Sequence, residues 1–106
     1  MRLKVCGINE LDDDASIGVS TDTIELFAIK KDGQIFLYEN SCPHLGTSLE
    51  FMPNQFLNTD RSLIICSSHG ALFEPHSGSC ISGPCAGQTL GKINYIIEDD
   101  VVFAIL

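Results

Sequence analysis

Two features are scarce in this sequence: basic residues and long apolar runs. Six lysines and arginines stand against 14 acidic residues, which gives a formal net charge of −8. Such a surface repels nucleic-acid phosphates and anionic lipid headgroups, so we expect neither nucleic acid nor a membrane as partner. No apolar run approaches the roughly 20 residues that span a bilayer. The first residues, MRLKVCGINELDDD, turn acidic without a signal-type apolar stretch, which indicates a cytoplasmic protein.

The sequence also lacks the patterns of helices and of hydrolytic active sites. No segment shows a sustained 3.6-residue apolar period, so no long helix is predicted. No Ser/His/Asp or paired-carboxylate arrangement stands out, and we expect no catalytic site of that kind. A length of 106 residues fits one domain, residues 1–106.

Short apolar segments rich in β-branched and aromatic residues predict an all-β chain. The predicted strands are Leu3–Cys6, Ile24–Lys30, Gln34–Glu39, Ser62–Cys66, Ala71–Glu74, Thr89–Ile97 and Val101–Leu106. Asp32-Gly33 between two such segments predicts a hairpin, and Glu98–Asp100 predicts a second tight turn. Glycine and proline collect in Ser77–Gly91, which is therefore predicted to be a loop.

The cysteines and histidines form two short, mixed groups. Five cysteines cannot all pair within one chain, and disulfides are rare in a reducing compartment, so metal ligation is the better explanation for some of them. The two groups are Cys42-Pro43-His44-Leu45-Gly46 and Cys66-Ser67-Ser68-His69-Gly70. Each group offers one thiolate and one imidazole at a spacing that lets a single loop bring both to one centre.

Spacing alone leaves three interpretations of these groups open. They could hold a tetrahedral zinc ion with two Cys and two His ligands. They could hold a [2Fe–2S] cluster, with both cysteines on one iron and both histidines on the other. They could also be a chance arrangement of core cysteines and surface histidines. Zinc fingers usually place Cys-x-x-Cys in one loop and a pair of histidines in a helix. This chain mixes Cys and His in both groups and has no predicted helix, so the iron–sulfur interpretation is favoured.

These segments, followed by Ala71-Leu72-Phe73, Ser77-Gly78 and Gly83-Pro84, closely resemble the Rieske signature in order, spacing and flanking glycines. With the strand pattern, the resemblance covers roughly residues 24–106. It implies an antiparallel β-sandwich with a small cluster-binding subdomain of two loops, at about Glu39–Gly87. It also implies one [2Fe–2S] cluster per chain, with Cys42 and Cys66 on the inner iron and His44 and His69 on the outer iron.

The nearest likeness is to the stand-alone Rieske ferredoxins of ring-hydroxylating dioxygenase systems. It implies that the chain is a one-electron carrier rather than an enzyme. The implied partners are a flavin-dependent ferredoxin reductase and a terminal oxygenase. Two rival hypotheses are a zinc-stabilised interaction module without redox activity and a Rieske-like small subunit of a larger reductase of the nitrite reductase type.

Departures from the high-potential members of the family predict a low reduction potential. Those proteins tie their two cluster loops with a disulfide, where this chain has Thr47 and Ser68. They also carry a serine and a tyrosine that donate hydrogen bonds to sulfur, where this chain has Ala71 and Phe73. Fewer donors destabilise the electron-rich reduced cluster, so we expect a potential toward the low end of a range of roughly −150 to +300 mV.

The remaining segments carry structural expectations. The stretch between the two ligand groups is a few residues longer than the family's commonest spacing, and residues 50–61 are predicted to hold the insertion as an enlarged loop. Cys6 is predicted in the core of the first strand, and Cys80 and Cys85 as small buried or loop residues. His76 is predicted at the surface, and the acidic run Glu10–Asp14 in a solvated loop.

Overall fold

The structure is a computed structural model that describes residues 2–41, 43, 49, 54–66, 70–84 and 86–106. Within these residues nine strands form, and none of the residues lies in a helix. The strands are β1 (Arg2–Gly7), β2 (Ala15–Ser20), β3 (Glu25–Lys31), β4 (Gln34–Glu39), β5 (Ile64–Ile65), β6 (Leu72–Phe73), β7 (Cys80–Ser82), β8 (Tyr95–Glu98) and β9 (Val101–Ile105). In the described part of the chain no helix is therefore long and apolar enough to cross a membrane.

The strands form three antiparallel sheets of three strands each. Their orders are β1-β9-β8, β2-β3-β4 and β5-β6-β7. This confirms the predicted all-β, antiparallel fold class. The strands of the third sheet are much shorter than those of the first two, because turns and loops occupy most of the chain around them.

Two tight turns have the backbone conformation that hairpins require. Asp32 and Gly33 have φ values of 53° and 77° and join β3 to β4, with Lys31 paired to Gln34. Asp99 and Asp100, with φ values of 52° and 62°, join β8 to β9 in the same way. Positive φ at both central positions matches the twist of the flanking strands, and Asp and Gly tolerate it. Both predicted turns are confirmed.

The β3–β4 hairpin is buried on both faces and separates two apolar cores. Successive strand residues point to opposite faces, so Leu26 and Ala28 enter one core while Phe27 and Ile29 enter the other. The scaffold core consists of Val5, Cys6, Leu11, Leu26, Ala28, Ile35, Leu37, Ile93, Val102 and Ala104. The loop-side core consists of Phe27, Ile29, Tyr38, Leu49, Phe56, Ile64, Cys66, Ala71, Phe73, Cys80 and Leu90.

Two strands were not expected from the sequence. Strand β2 pairs with β3 along its whole length, from Ala15↔Lys30 to Ser20↔Glu25. Strand β7 lies inside the Ser77–Gly91 segment, so the prediction of a continuous loop there is wrong. Both strands form on an edge whose unpaired backbone groups need partners, and that need outweighs the weak strand propensity of small residues.

The predicted strand Thr89–Ile97 is also wrong as a single element. Thr89 bridges Ser79, Lys92 bridges Tyr38, and the regular strand begins only at Tyr95, which pairs with Ala104. The segment therefore passes from one sheet to another and changes partners along its length. The predicted segments Ser62–Cys66 and Ala71–Glu74 are likewise shorter, reduced to the two-residue strands β5 and β6.

Candidate metal centre

The described residues on either side of positions 67–69 in the second ligand segment pair with each other. Strands β5 and β6 pair with Ile65 opposite Leu72, and the pairing continues where the Cys66 N–H donates to the Ala71 carbonyl at 2.9 Å. The Gly70 N–H donates to the Cys66 carbonyl, also at 2.9 Å. Gly70 has φ of 69°, which suits glycine. Two backbone hydrogen bonds thus join Cys66 to Gly70 and Ala71, the described residues on either side of positions 67–69.

Cys66 is the predicted ligand that the structure describes, and its side chain is fully buried. Its exposure is 0%, and it belongs to the loop-side core together with Ala71 and Phe73. A cysteine in such a place serves either as a small apolar residue or as a ligand whose thiolate charge a metal compensates. The predicted ligands Cys42, His44 and His69 lie outside the described residues, as do Thr47 and Ser68.

The first ligand segment connects two residues that the structure ties together. Asn40, at the end of β4, donates its backbone N–H to the Glu25 carbonyl at 2.9 Å. Its side-chain oxygen Oδ1 accepts the Leu49 N–H at 2.8 Å. Leu49 is fully buried in the loop-side core, which also holds Cys66. Asn40 and Leu49, which flank residues 41–48, are therefore joined to each other, and Leu49 shares a core with Cys66.

A third segment packs on the second ligand segment. Gly83 has φ of 106°, and a Cβ placed on it would lie 2.8 Å from the Ala71 Cα. A side chain at this position would collide with backbone, so only glycine permits the approach. The following Pro84 is exposed to solvent. The Gly83-Pro84 pair of the sequence motif thus lies against the hairpin that carries Cys66.

The turn between β6 and β7 is fixed to the β3–β4 hairpin by two side chains. The Tyr38 hydroxyl donates to the Pro75 carbonyl at 2.6 Å, and burial, with Glu74 nearby, raises the pKa of Tyr38 to about 12. His76 contacts a Glu74 oxygen through Nδ1 at 2.7 Å and an Asp32 oxygen through Nε2 at 3.1 Å. The hydrogen bond with Glu74, and then Asp32, raise the pKa of His76.

Sequence reasoning located His76 correctly but missed its partners. Its side chain is 44% exposed, which confirms a surface histidine. Its ring also packs edge-on against Phe36, with centroids 5.2 Å apart. Asp32 lies 44 positions earlier in the chain, and no local pattern relates the two residues.

The segment between the two ligand groups is attached to β2. Of the predicted enlarged loop, residues 54–61 are described. The Asn54 oxygen Oδ1 accepts the Gly18 N–H at 2.8 Å, and the Asn54 carbonyl accepts the Ser16 hydroxyl at 2.7 Å. Phe56 stacks on Phe27 with ring centroids 4.3 Å apart. A polar cleft of about 480 Å³ lies between this segment and β2.

The other two described cysteines, Cys6 and Cys80, lie buried in strands. Cys6 is buried in β1, as predicted, and burial, followed by the nearby Glu10, raises the pKa of its thiol. Cys80 is buried in β7, and Cys85 lies outside the described residues. Among the residues that the structure describes, no three metal-ligating side chains converge.

Comparison with known proteins identifies the family. The family model described as "Rieske [2Fe-2S] domain" matches residues 1–98. The chain belongs to the Rieske [2Fe–2S] domain family. The cofactor of this family is a [2Fe–2S] cluster, which favours iron over zinc for the two Cys/His groups. No curated protein matches the chain in sequence.

Solved Rieske ferredoxins share the fold. The ferredoxin of Sphingomonas yanoikuyae B1 is 22% identical with a TM-score of 0.77, covering 100% of this chain and 99% of its own. The ferredoxin of carbazole 1,9a-dioxygenase from Nocardioides aromaticivorans IC177 is 14% identical with a TM-score of 0.76, covering 98% and 96%. A chain from a complex of reduced oxygenase and oxidized ferredoxin in carbazole 1,9a-dioxygenase is 23% identical with a TM-score of 0.77, covering 97% and 91%.

Proposed function

We propose that this Rieske protein is a one-electron carrier whose cluster is held by Cys42, His44, Cys66 and His69. One observation carries the proposal. Cys66 of the second Cys/His group is fully buried in the core that also holds Leu49, which follows the first group in the chain. This shared core supports the proposal that the two groups bind a common centre.

The donor set suits electron transfer at a moderate potential. When bound, a [2Fe–2S] cluster takes up and releases one electron. The two cysteine thiolates and two neutral imidazoles leave the oxidised site with no net charge, whereas four thiolates would leave a net negative one. An added electron then meets less Coulomb repulsion, so histidine ligation raises the potential. Around Cys66, the buried Ala71 and Phe73 offer no side-chain hydrogen-bond donor and lower the potential within the Rieske range.

The proposed partners are a flavin-dependent ferredoxin reductase as donor and a terminal oxygenase as acceptor. The support for the acceptor is the likeness to ferredoxins of dioxygenase systems, one of them described in complex with its oxygenase. The net charge of −8 would favour encounter with a positively charged protein surface. In this scheme the chain carries electrons and catalyses no reaction of its own. We place it in the cytoplasm, which cell fractionation tests.

We further propose that residues 1–106 form one domain and that residues 39–87 form its cluster-binding subdomain. The short sheet β5-β6-β7 lies entirely within this range. The long sheets β1-β9-β8 and β2-β3-β4 lie outside it, except for the last residue of β4. Limited proteolysis of the loaded protein is expected to leave the whole chain as one protected fragment.

The decisive experiment is metal analysis combined with EPR of the dithionite-reduced protein. We expect two irons and two sulfides per chain and a signal of the mixed-ligand type, because histidine ligation makes the two irons electronically distinct. Zinc in anaerobically prepared protein, or iron without sulfide, would overturn the proposed function.

Replacement of single histidines tests the ligand set. His44→Cys or His69→Cys puts a thiolate where an imidazole is proposed, so the added negative charge should lower the reduction potential. A redox titration followed by visible circular dichroism measures it. If a variant keeps its cluster at an unchanged potential, that histidine is not a ligand.

A further inference from the structure

Residues 41–48, which contain two proposed ligands, lie between two residues joined by a hydrogen bond. The Leu49 N–H donates to Oδ1 of Asn40 at 2.8 Å, across nine positions of the chain. Leu49 packs with full burial into the loop-side core. One side-chain oxygen therefore joins the first and last anchors of the segment that carries Cys42 and His44.

Asn40 is itself held rigidly. Its backbone N–H donates to the Glu25 carbonyl at 2.9 Å, which extends the pairing of β4 with β3 by one residue. Asn40 is 5% exposed and is the buried polar residue of the described chain. Strands β3 and β4 lie between the two cores and form the most extensively buried hairpin in the described structure. The acceptor for the Leu49 N–H thus lies directly after a hairpin that is buried on both faces.

The hydrogen bond cannot be replaced by water at low cost. Leu49 is completely buried, so its N–H would lose its acceptor inside an apolar core if the Asn40 side chain were removed. An unsatisfied buried donor is costly, and the chain would relieve the cost by moving Leu49 outward. Such a movement would alter the separation of the two ends of residues 41–48.

We propose that Asn40 is a positioning residue for the cluster, because it fixes the span of the first ligand segment and thereby the placement of Cys42 and His44. The inference rests on the proposed ligand set. A loop with fixed ends has fewer conformations to lose when its ligands converge on a common centre. Asparagine suits the position because its neutral oxygen accepts the hydrogen bond without placing a charge in the core.

The test compares Asn40→Ala with Asn58→Ala as a matched control. Asn58 also accepts backbone N–H groups through Oδ1, from Ser62 at 3.0 Å and Leu63 at 3.1 Å, but it closes an exposed turn between the ligand groups. In Asn40→Ala we expect exchange of the Leu49 amide hydrogen and release of iron to a chelator to be faster by about tenfold or more. The EPR signal should broaden. Asn58→Ala should keep the wild-type EPR signal and iron-release rate.

Asn40→Asp separates the hydrogen bond from the side chain's bulk. It retains an oxygen acceptor, so Leu49 amide protection and iron retention should return toward wild type, while the added negative charge should lower the potential. Asn40→Ser, which is too short to reach Leu49, serves the same purpose as the alanine variant if that variant does not fold.

Three outcomes would overturn the inference. In the first, Asn40→Ala has the iron-release rate and the EPR signal of wild type. In the second, Asn58→Ala releases iron as fast as Asn40→Ala. In the third, Asn40→Asp releases iron as fast as Asn40→Ala. Failure of the proposed function is recognised separately, because the wild-type protein would then hold no [2Fe–2S] cluster. The exchange of the Leu49 amide hydrogen can be measured in either case.

Discussion

Among the described residues, the contacts that flank the two ligand segments differ. Positions 67–69 of the second are flanked by Cys66, Gly70 and Ala71, which two backbone hydrogen bonds join. Positions 41–48 of the first are flanked by Asn40 and Leu49, which are joined by a hydrogen bond from the Leu49 N–H to the Asn40 side chain. Backbone closure tolerates many side chains, whereas side-chain closure depends on the identity of one residue. The second segment should therefore be sensitive mainly to its ligands and to Gly70, and the first also to Asn40.

The largest expected effect comes from Cys66, the described member of the proposed ligand set. Cys66→Ser should abolish iron and sulfide binding, because a serine hydroxyl at neutral pH is a poor substitute for a thiolate ligand. Cys80→Ser is the matched control, since Cys80 is buried in the same core. Each substitution buries a hydroxyl and should cost roughly 1–3 kcal/mol of folding free energy. Iron and sulfide content, measured on both variants, distinguishes a ligand from a core residue. Equal cluster content in the two variants would contradict the assignment of Cys66.

The second expected effect concerns the potential. Ala71→Ser combined with Phe73→Tyr supplies hydroxyl donors beside Cys66, which should stabilise the reduced form of the cluster. A tenfold stabilisation of the reduced form corresponds to about 59 mV for one electron, so the reduction potential should rise by several tens of millivolts. A redox titration of the purified variant measures the shift. A variant that retains its cluster and shows the wild-type potential would mean that missing donors do not set the value.

The third expected effect separates loop closure from general stability. Gly70 and Gly33 both have positive φ, of 69° and 77°, and a Cβ on either would meet no atom of the described residues within 4 Å. Gly70→Ala and Gly33→Ala should therefore each cost about 1 kcal/mol of unfolding free energy through backbone strain alone. Gly70→Ala should also change the visible circular dichroism of the cluster, because it alters the loop that contains His69. A changed spectrum in Gly33→Ala would remove the distinction between the two turns.

The smallest expected effect is a pH dependence of the folding stability, which comes from His76 in the turn between β6 and β7. Because Glu74 and Asp32 raise the pKa of His76, protonated His76 stabilises the fold below about pH 6.5, and this contribution is lost as the pH rises through the raised pKa. The groups are exposed, so we expect only a few tenths of a kcal/mol. In urea unfolding, the difference in stability between wild type and His76→Gln should be larger at about pH 6 than at about pH 9, where only the lost ring packing on Phe36 remains. A difference that is the same at both pH values would show that charge is not the cause.

Much of the fold follows from local patterns. The bounds of β4 were predicted without error, and β3 was displaced by one residue, because alternating apolar residues meet Asp32-Gly33 at a defined turn. Strand β2 was missed although Ala15, Ile17 and Val19, which pack against the scaffold core, alternate with serine and glycine as in a half-buried strand. It pairs with the edge of β3, whose partner residues lie 5 to 15 positions further along the chain. Cys66 was recognised from its spacing to His69, but nothing local indicates that it shares a core with Leu49.

The sequence by itself determined the tight turns, the absence of long helical periodicity and the types and spacing of the donor groups, since each depends on neighbouring residues and their backbone preferences. Only the tertiary structure decided which side chains close the ligand segments. Asn40 has no distinguishing pattern along the chain, and it becomes important because folding buries the Leu49 N–H within reach of its oxygen. A buried donor must find an acceptor, and which acceptor lies nearby is a property of packing rather than of local sequence.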